Sequence, residues 1–213
     1  MGLHGPNKWA KEEGNQEAIN HVGDLEMDFM ERRSVGMADH VVSPSRYLLG
    51  WMARQGWPPN ARAAVQPNVL PLADRRAASL GPRPEGPAAA VDVSELVFFA
   101  RLETRKGVIT FCDAIERLLR GESGEASLTT QDAVLARLKQ VTFLGRGAMV
   151  HGKFGVHYVQ ERAQRWPVPW KIIARMGPVE AKAYLREGPR LAVMPSRIEN
   201  RCDPELETLN PKP

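Results

Sequence analysis

From about residue 95 onward, apolar positions come in short unbroken runs separated by segments of helical spacing. The runs are Leu96–Phe99, Val141–Leu144, Trp170–Ala174 and Arg190–Met194, each the length of a strand. Between them, Gly107–Leu119 sets Val108, Phe111, Cys112, Ile115, Leu118 and Leu119 at helical spacing, and Phe154–Arg165 and Pro178–Arg186 form further helices. Strands apolar on both faces that alternate with helices predict a parallel sheet made of right-handed βαβ units. Gly121–Lys139 has no clear period, part loop and part weak helix.

The first seventy residues have a different rhythm. Asp24 is a predicted helix cap, followed by Leu25, Phe29, Met30 and Met37 on the inward face and Glu26, Glu31, Arg32 and Arg33 outside. Val41-Val42 and Ala63–Gln66 are short strand candidates. Ser45 caps a second predicted helix, with Tyr47, Leu48, Trp51 and Met52 inward and Gly56 ending it. Two strands this short are too few to close a sheet, so this piece is not a complete α/β domain. Seven prolines between Pro58 and Pro87, and the run Gly81-Pro82-Arg83-Pro84-Glu85-Gly86-Pro87, mark an exposed linker. The expected organisation is therefore residues 1–70, a linker over 71–94, and an α/β domain over 95–213.

Composition narrows the class. The chain has 213 residues, 43% hydrophobic and 25% charged, which is a globular balance. No apolar run approaches the ~18 residues of a membrane helix. The first residues carry no basic-then-apolar leader, so a cytoplasmic protein is expected, with peripheral membrane contact left open. Net charge is +4, from 29 Lys+Arg against 25 Asp+Glu, and 21 of the 29 are Arg. The planar guanidinium fork suits phosphate, although a GC-rich genome produces the same excess. The cations are scattered rather than gathered in a stripe, which argues against nucleic acid. Cys112 and Cys202 match no metal-ligand spacing, and a cytosolic disulfide is not expected. No metal site is predicted.

Ligands of an open parallel sheet bind beyond the carboxyl ends of its strands. After Leu96–Phe99, Arg101 leaves the strand and Lys106-Gly107 opens the next helix, so two cations and a helix N-terminus converge as an anion site. A solvated charged loop is the other reading of the same residues. Gly145-Arg146-Gly147 allows close backbone approach, as in any tight turn. Glu199 follows the last strand, where a carboxylate can accept hydroxyl hydrogen bonds, and Glu207 lies eight positions later.

These residues carry a resemblance. Leu96-Val97-Phe98-Phe99-Ala100-Arg101-Leu102-Glu103-x-x-Lys106-Gly107, Phe143-Leu144-Gly145 and Val193-Met194-Pro195-Ser196-x-x-Glu199-Asn200 resemble the C-terminal domain of family 4 (group 1) glycosyltransferases. Ala38-Asp39-x-Val41-Val42-x-Pro44-Ser45-x-Tyr47-Leu48, Pro67-Asn68-Val69 and His4-Gly5-Pro6 with Trp9 resemble parts of the family's first domain. The resemblance implies the GT-B architecture of two Rossmann-type domains, the second nearly complete here and the first a partial remnant. It implies transfer of a sugar from a nucleotide diphosphate sugar to an unknown acceptor with retention, without a metal or other cofactor.

By the same resemblance, Arg101 and Lys106 hold the diphosphate, Glu199 the donor sugar and Glu207 the ribose. Gly145 lies under the nucleotide, and His4 is an acceptor-side candidate. Ala100 departs from the family's usual Gly, and Arg201-Cys202-Asp203-Pro204 departs from the usual run after Asn200. The chain resembles the middle of a longer enzyme, so sugar transfer by these 213 residues alone is not expected. An inactive module that binds nucleotide diphosphate is the alternative.

Overall fold

The computed structural model describes residues 6–57, 62–66, 93–122 and 131–196. The chain divides into two compact units, one of residues 1–85 with 198–213 and one of 86–197. His4, Glu199, Glu207, Cys202 and nearly all of the predicted linker lie outside the described residues.

The first unit opens with a π-helical segment, Trp9–Asn15. Helix α1 (Val22–Met37), strand β1 (Val41–Ser43), helix α2 (Arg46–Arg54) and strand β2 (Ala63–Val65) follow. The two strands pair in parallel. Ser45 caps α2 as predicted, its Oγ accepting from Leu48 N at 3.2 Å. Leu48, Trp51 and Met52 are buried with Trp9, Val35 and Trp57, whereas Tyr47 is exposed, contrary to prediction. Tyr47 stands one position ahead of the buried Leu48, and the described apolar cluster is too small to cover both.

Helix α1 overturns two expectations. It starts at Val22, with His21 as cap, because His21 Nδ1 accepts from Gly23 N at 3.2 Å. Its inward face is the polar one. Lys11 pairs with Asp24 at 2.6 Å, Asn7 N donates to Glu31 at 2.9 Å, and Arg32 donates to the Gln55 carbonyl at 2.8 Å while lying over the Trp57 ring. Leu25, Phe29, Met30 and Met37 are exposed instead. Periodicity identifies an apolar stripe correctly but not which way it points. Here the polar stripe finds charge-assisted partners in the same unit, and these fix the helix's rotation.

The second unit is mixed α/β. Strand β3 (Glu95–Phe99) leads through a 3₁₀ turn, Thr104–Lys106, into α3 (Val108–Leu119). Then come α4 (Gln131–Arg137), β4 (Gln140–Leu144), a short hairpin of β5 (Met149–Val150) and β6 (Lys153–Phe154), α5 (Gly155–Ala163), β7 (Trp170–Ile173), α6 (Pro178–Arg186) and β8 (Arg190–Val193). The four-stranded sheet has the order β7-β4-β3-β8 and every pair is parallel. Numbered by appearance that order is 3-2-1-4, which is compatible with the first four strands of a Rossmann-like sheet.

Alternation along the strands sends Phe98, Val141 and Phe143 to one face, against Phe111, Cys112 and Ile115 of α3 and Val159 and Ala163 of α5. Val97 and Leu144 point to the other face, against Ala181 of α6. Helices therefore cover both faces, which is why the central runs are apolar throughout. The edge strands depart from that rule: Leu191 on β8 is half exposed. The predicted helix from Phe154 begins one residue later, because Phe154 pairs with Met149 in the hairpin. Among the described residues no helix is long and apolar enough to cross a membrane.

Candidate functional site

The sheet order places its switch point between β3 and β8, the position where open α/β sheets bind ligands. Two glycines set the backbone there. Gly107 has φ +76°, a left-handed conformation that L side chains rarely adopt. A Cβ on it would lie 1.9 Å from the carbonyl oxygen of Pro195, just after β8. The entry to α3 is thus pressed directly against the chain leaving β8. Gly145, just after β4, packs equally tightly, with a Cβ position 1.9 Å from the Ala100 carbonyl oxygen. A third approach fixes the same loop. Leu102 N donates to the Arg146 carbonyl at 2.8 Å and Ala148 N donates to the Leu102 carbonyl at 3.1 Å.

These contacts hold the segment from Ala100 to Gly107 in place, and it carries the charge. Arg101 leaves β3 with its side chain 55% exposed and pairs with Glu103 at 3.1 Å. Arg105 pairs with the same Glu103 oxygen at 3.0 Å and is largely covered. Lys106 ends the 3₁₀ turn, and its N–H donates to the Glu103 carbonyl at 3.1 Å. Three cations and one carboxylate of this turn stand beside the first turn of α3, where the helix N-terminus also favours an anion.

Of the predicted site residues, Arg101, Lys106 and Gly145 are brought to one end of the sheet. Glu199, Glu207 and His4 lie outside the described residues. Glu103, the carboxylate that orients Arg101, has no role in the sequence reading. Its position two residues from Arg101 and from Arg105 was the available signal.

A cleft of about 490 Å³ adjoins this end, lined by Phe99, Leu144, Gly145, Arg146, Arg175 and Met176 among others. Its polar groups are the cations Arg146 and Arg175 and the first turn of α6, where Gly177 N donates to Glu180 at 2.9 Å. The size is that of a small-molecule site. A second depression, of about 560 Å³, lies at the far end of α3 beside Glu116, Arg162 and Trp166. There Arg162 is committed to Glu116, Asp113 and Tyr158.

Cys112 is not reactive machinery. It is buried against the sheet, and burial pushes its thiol up to about 12. Among the described residues no group of three or more His, Cys, Asp or Glu is placed to hold a metal ion. No protein-family model, curated protein or solved structure matches this chain.

Proposed function

We propose that the second unit binds the diphosphate of a nucleotide sugar, and that the chain belongs to a retaining glycosyltransferase of GT-B architecture. The observation that carries this reading is the pressing of Gly107 against the Pro195 carbonyl. It joins the loop after β3, the loop after β8 and the N-terminus of α3 at the switch point, with Arg101 and Lys106 on that loop.

The chemistry follows from charge. When a sugar leaves a nucleotide diphosphate, negative charge develops on the diphosphate oxygen. Preorganised donors aimed there lower the barrier without reorganising. Arg101 supplies a planar fork, Lys106 a point charge, and α3 its first-turn N–H groups. The neighbouring 490 Å³ cleft has room for the nucleoside end of the donor. The roles of Glu199 on the sugar, Glu207 on the ribose, Gly145 under the nucleotide and His4 toward the acceptor rest on the resemblance.

Calorimetric titration of the purified chain with uridine, guanosine and adenosine diphosphates is the test. One of them binds, and Arg101→Ala or Lys106→Ala each weaken binding by about 1.5–3 kcal/mol, Arg101 toward the lower end because it is exposed. Arg105→Ala weakens binding less than either, because Arg105 is held by Glu103 and largely covered. No binding of any nucleoside diphosphate at millimolar concentration removes the proposal. Binding without release of sugar from any nucleotide sugar supports the inactive-module alternative instead.

A further inference from the structure

We propose that the outward face of α1 is where a second copy of this chain docks, antiparallel and related by a two-fold axis. The face is apolar and bare. Phe29 and Met30 are each 60% exposed, Met37 74% and Val22 68%. Together they offer roughly 500 Å² of apolar surface on one helix, within the range at which a patch on a monomer is functional. The helix cannot turn this face inward, because Asp24, Glu31 and Arg32 are held on the opposite side by Lys11, Asn7 and Gln55.

The charges on the face identify the occupant. Glu26 and Arg33 are both exposed, lie seven residues apart on the same stripe, and have no ion-pair partner among the described residues. A two-fold axis crossing α1 between Phe29 and Met30 sets each residue opposite the one equally far on the other side. Glu26 then faces Arg33 of the second copy, and Arg33 faces its Glu26. The same operation sets Phe29 against Met30 and Val22 against Met37, so every contact is like with like or opposite charge with opposite charge. This is the self-complementarity that an isologous interface requires. Two such patches together bury on the order of 1,000 Å² at least, the lower limit of a specific interface, so the expected dimer is micromolar rather than tighter.

Sedimentation of the full chain from about 1 to 100 μM tests this, since an interface of this size dissociates across that range. A reversible monomer–dimer equilibrium is expected, with Phe29→Asp monomeric throughout. Glu26→Arg and Arg33→Glu each put like charges together twice in the interface and raise the dissociation constant about tenfold. The double variant, Glu26→Arg with Arg33→Glu, restores wild-type association. That rescue cannot come from a sturdier helix. The double swap puts a cation near the helix N-terminus and an anion near its C-terminus, the worst arrangement for the helix dipole. Far-UV circular dichroism of each variant checks that α1 is intact. A monomer at every concentration, association indifferent to the single swaps, or a double variant no better than the singles each overturn the proposal.

Discussion

Gly145→Ala is a sharp test of how the candidate site is built. The added methyl carbon would sit 1.9 Å from the Ala100 carbonyl oxygen, 2.6 Å from its carbon and 3.2 Å from Arg101 N. All three are backbone atoms, so no side chain can swing away. An ordinary contact needs about 3.4 Å, so the ends of β3 and β4 must part by roughly 1.5 Å. Overpacking of this kind costs about 1–3 kcal/mol. Gly152→Ala is the control. Gly152 has φ +79° and nothing within 4 Å of the new methyl, so its cost is backbone strain alone, about 1 kcal/mol. The two variants separate in binding rather than in stability. Gly145→Ala displaces Arg101 directly and should weaken nucleoside diphosphate binding tenfold or more, in the direction of the ~100-fold that a 1 Å misplacement can cost. Gly152→Ala should leave binding unchanged. Chemical denaturation gives the first quantity and calorimetry the second. If Gly145→Ala binds diphosphate as wild type does, the loops after β3 and β4 are not what position the site.

Three further outcomes follow from the second unit. Burial pushes the Glu95 carboxyl up, but hydrogen bonds from Thr142, Tyr184 and Arg190 together hold it below its ordinary value. A depressed folded-state value gives stability that is present above the unfolded pKa and lost as pH falls below it. Glu95→Gln should therefore be less stable than wild type at pH 7 by about 1–3 kcal/mol, and the gap should close as urea melts are taken below about pH 4. Arg162→Ala removes two hydrogen bonds to Glu116 and one each to Asp113 and Tyr158, and should cost about 2 kcal/mol in the same assay, with Arg162→Lys recovering little because an ammonium cannot match the paired fork. In a Cys202→Ser background, Cys112 should resist iodoacetamide at pH 8 and react only on adding denaturant; fast labelling of the native chain contradicts its burial.

The second unit was largely legible in the sequence. Its central strands are apolar on both faces, and its helices keep their period, so Pro178–Arg186 was placed to the residue. The hairpin Met149–Phe154 was missed because two-residue strands leave almost no pattern. Its turn, with His151 at φ +46° followed by Gly152, was the only local sign. In the first unit α1 and α2 were legible, the π-helical segment Trp9–Asn15 was not, and neither was the orientation of α1. The stripe Leu25, Phe29, Met30, Met37 obeys the helical period, but a period carries no direction. Direction was set by Asn7 and Lys11, more than a dozen residues earlier, and by Gln55, more than twenty later, and no local window contains them. At the candidate site, the placement of Arg101 and Lys106 just beyond β3 was readable from the sequence, and their role on a diphosphate rests on the resemblance. Glu103 was not, since a carboxylate between cations looks like any solvated pair.

The two units differ in how their burial is organised, and this bears on where function resides. In the second unit, β3 and β4 are enclosed on both sides. Phe98, Phe111 and Phe143 pack ring against ring at 5.4–5.9 Å, and the loops at the carboxyl end are anchored by close backbone contacts at Gly107 and Gly145. A site built on such loops can hold fixed charges at fixed distances, which electrostatic catalysis requires. The first unit has a small core of Trp9, Val35, Leu48, Trp51, Met52 and Trp57, and the indole N–H groups of Trp9, Trp51 and Trp57 are buried without a partner among the described residues. Each unsatisfied donor carries a desolvation cost of about 1–3 kcal/mol. A unit with that burden, whose largest apolar stripe faces outward, gains stability from whatever covers α1. Association through that face then acts on the stability of the first unit directly, while the rigid loops that would hold the diphosphate owe their geometry to the second unit's own core.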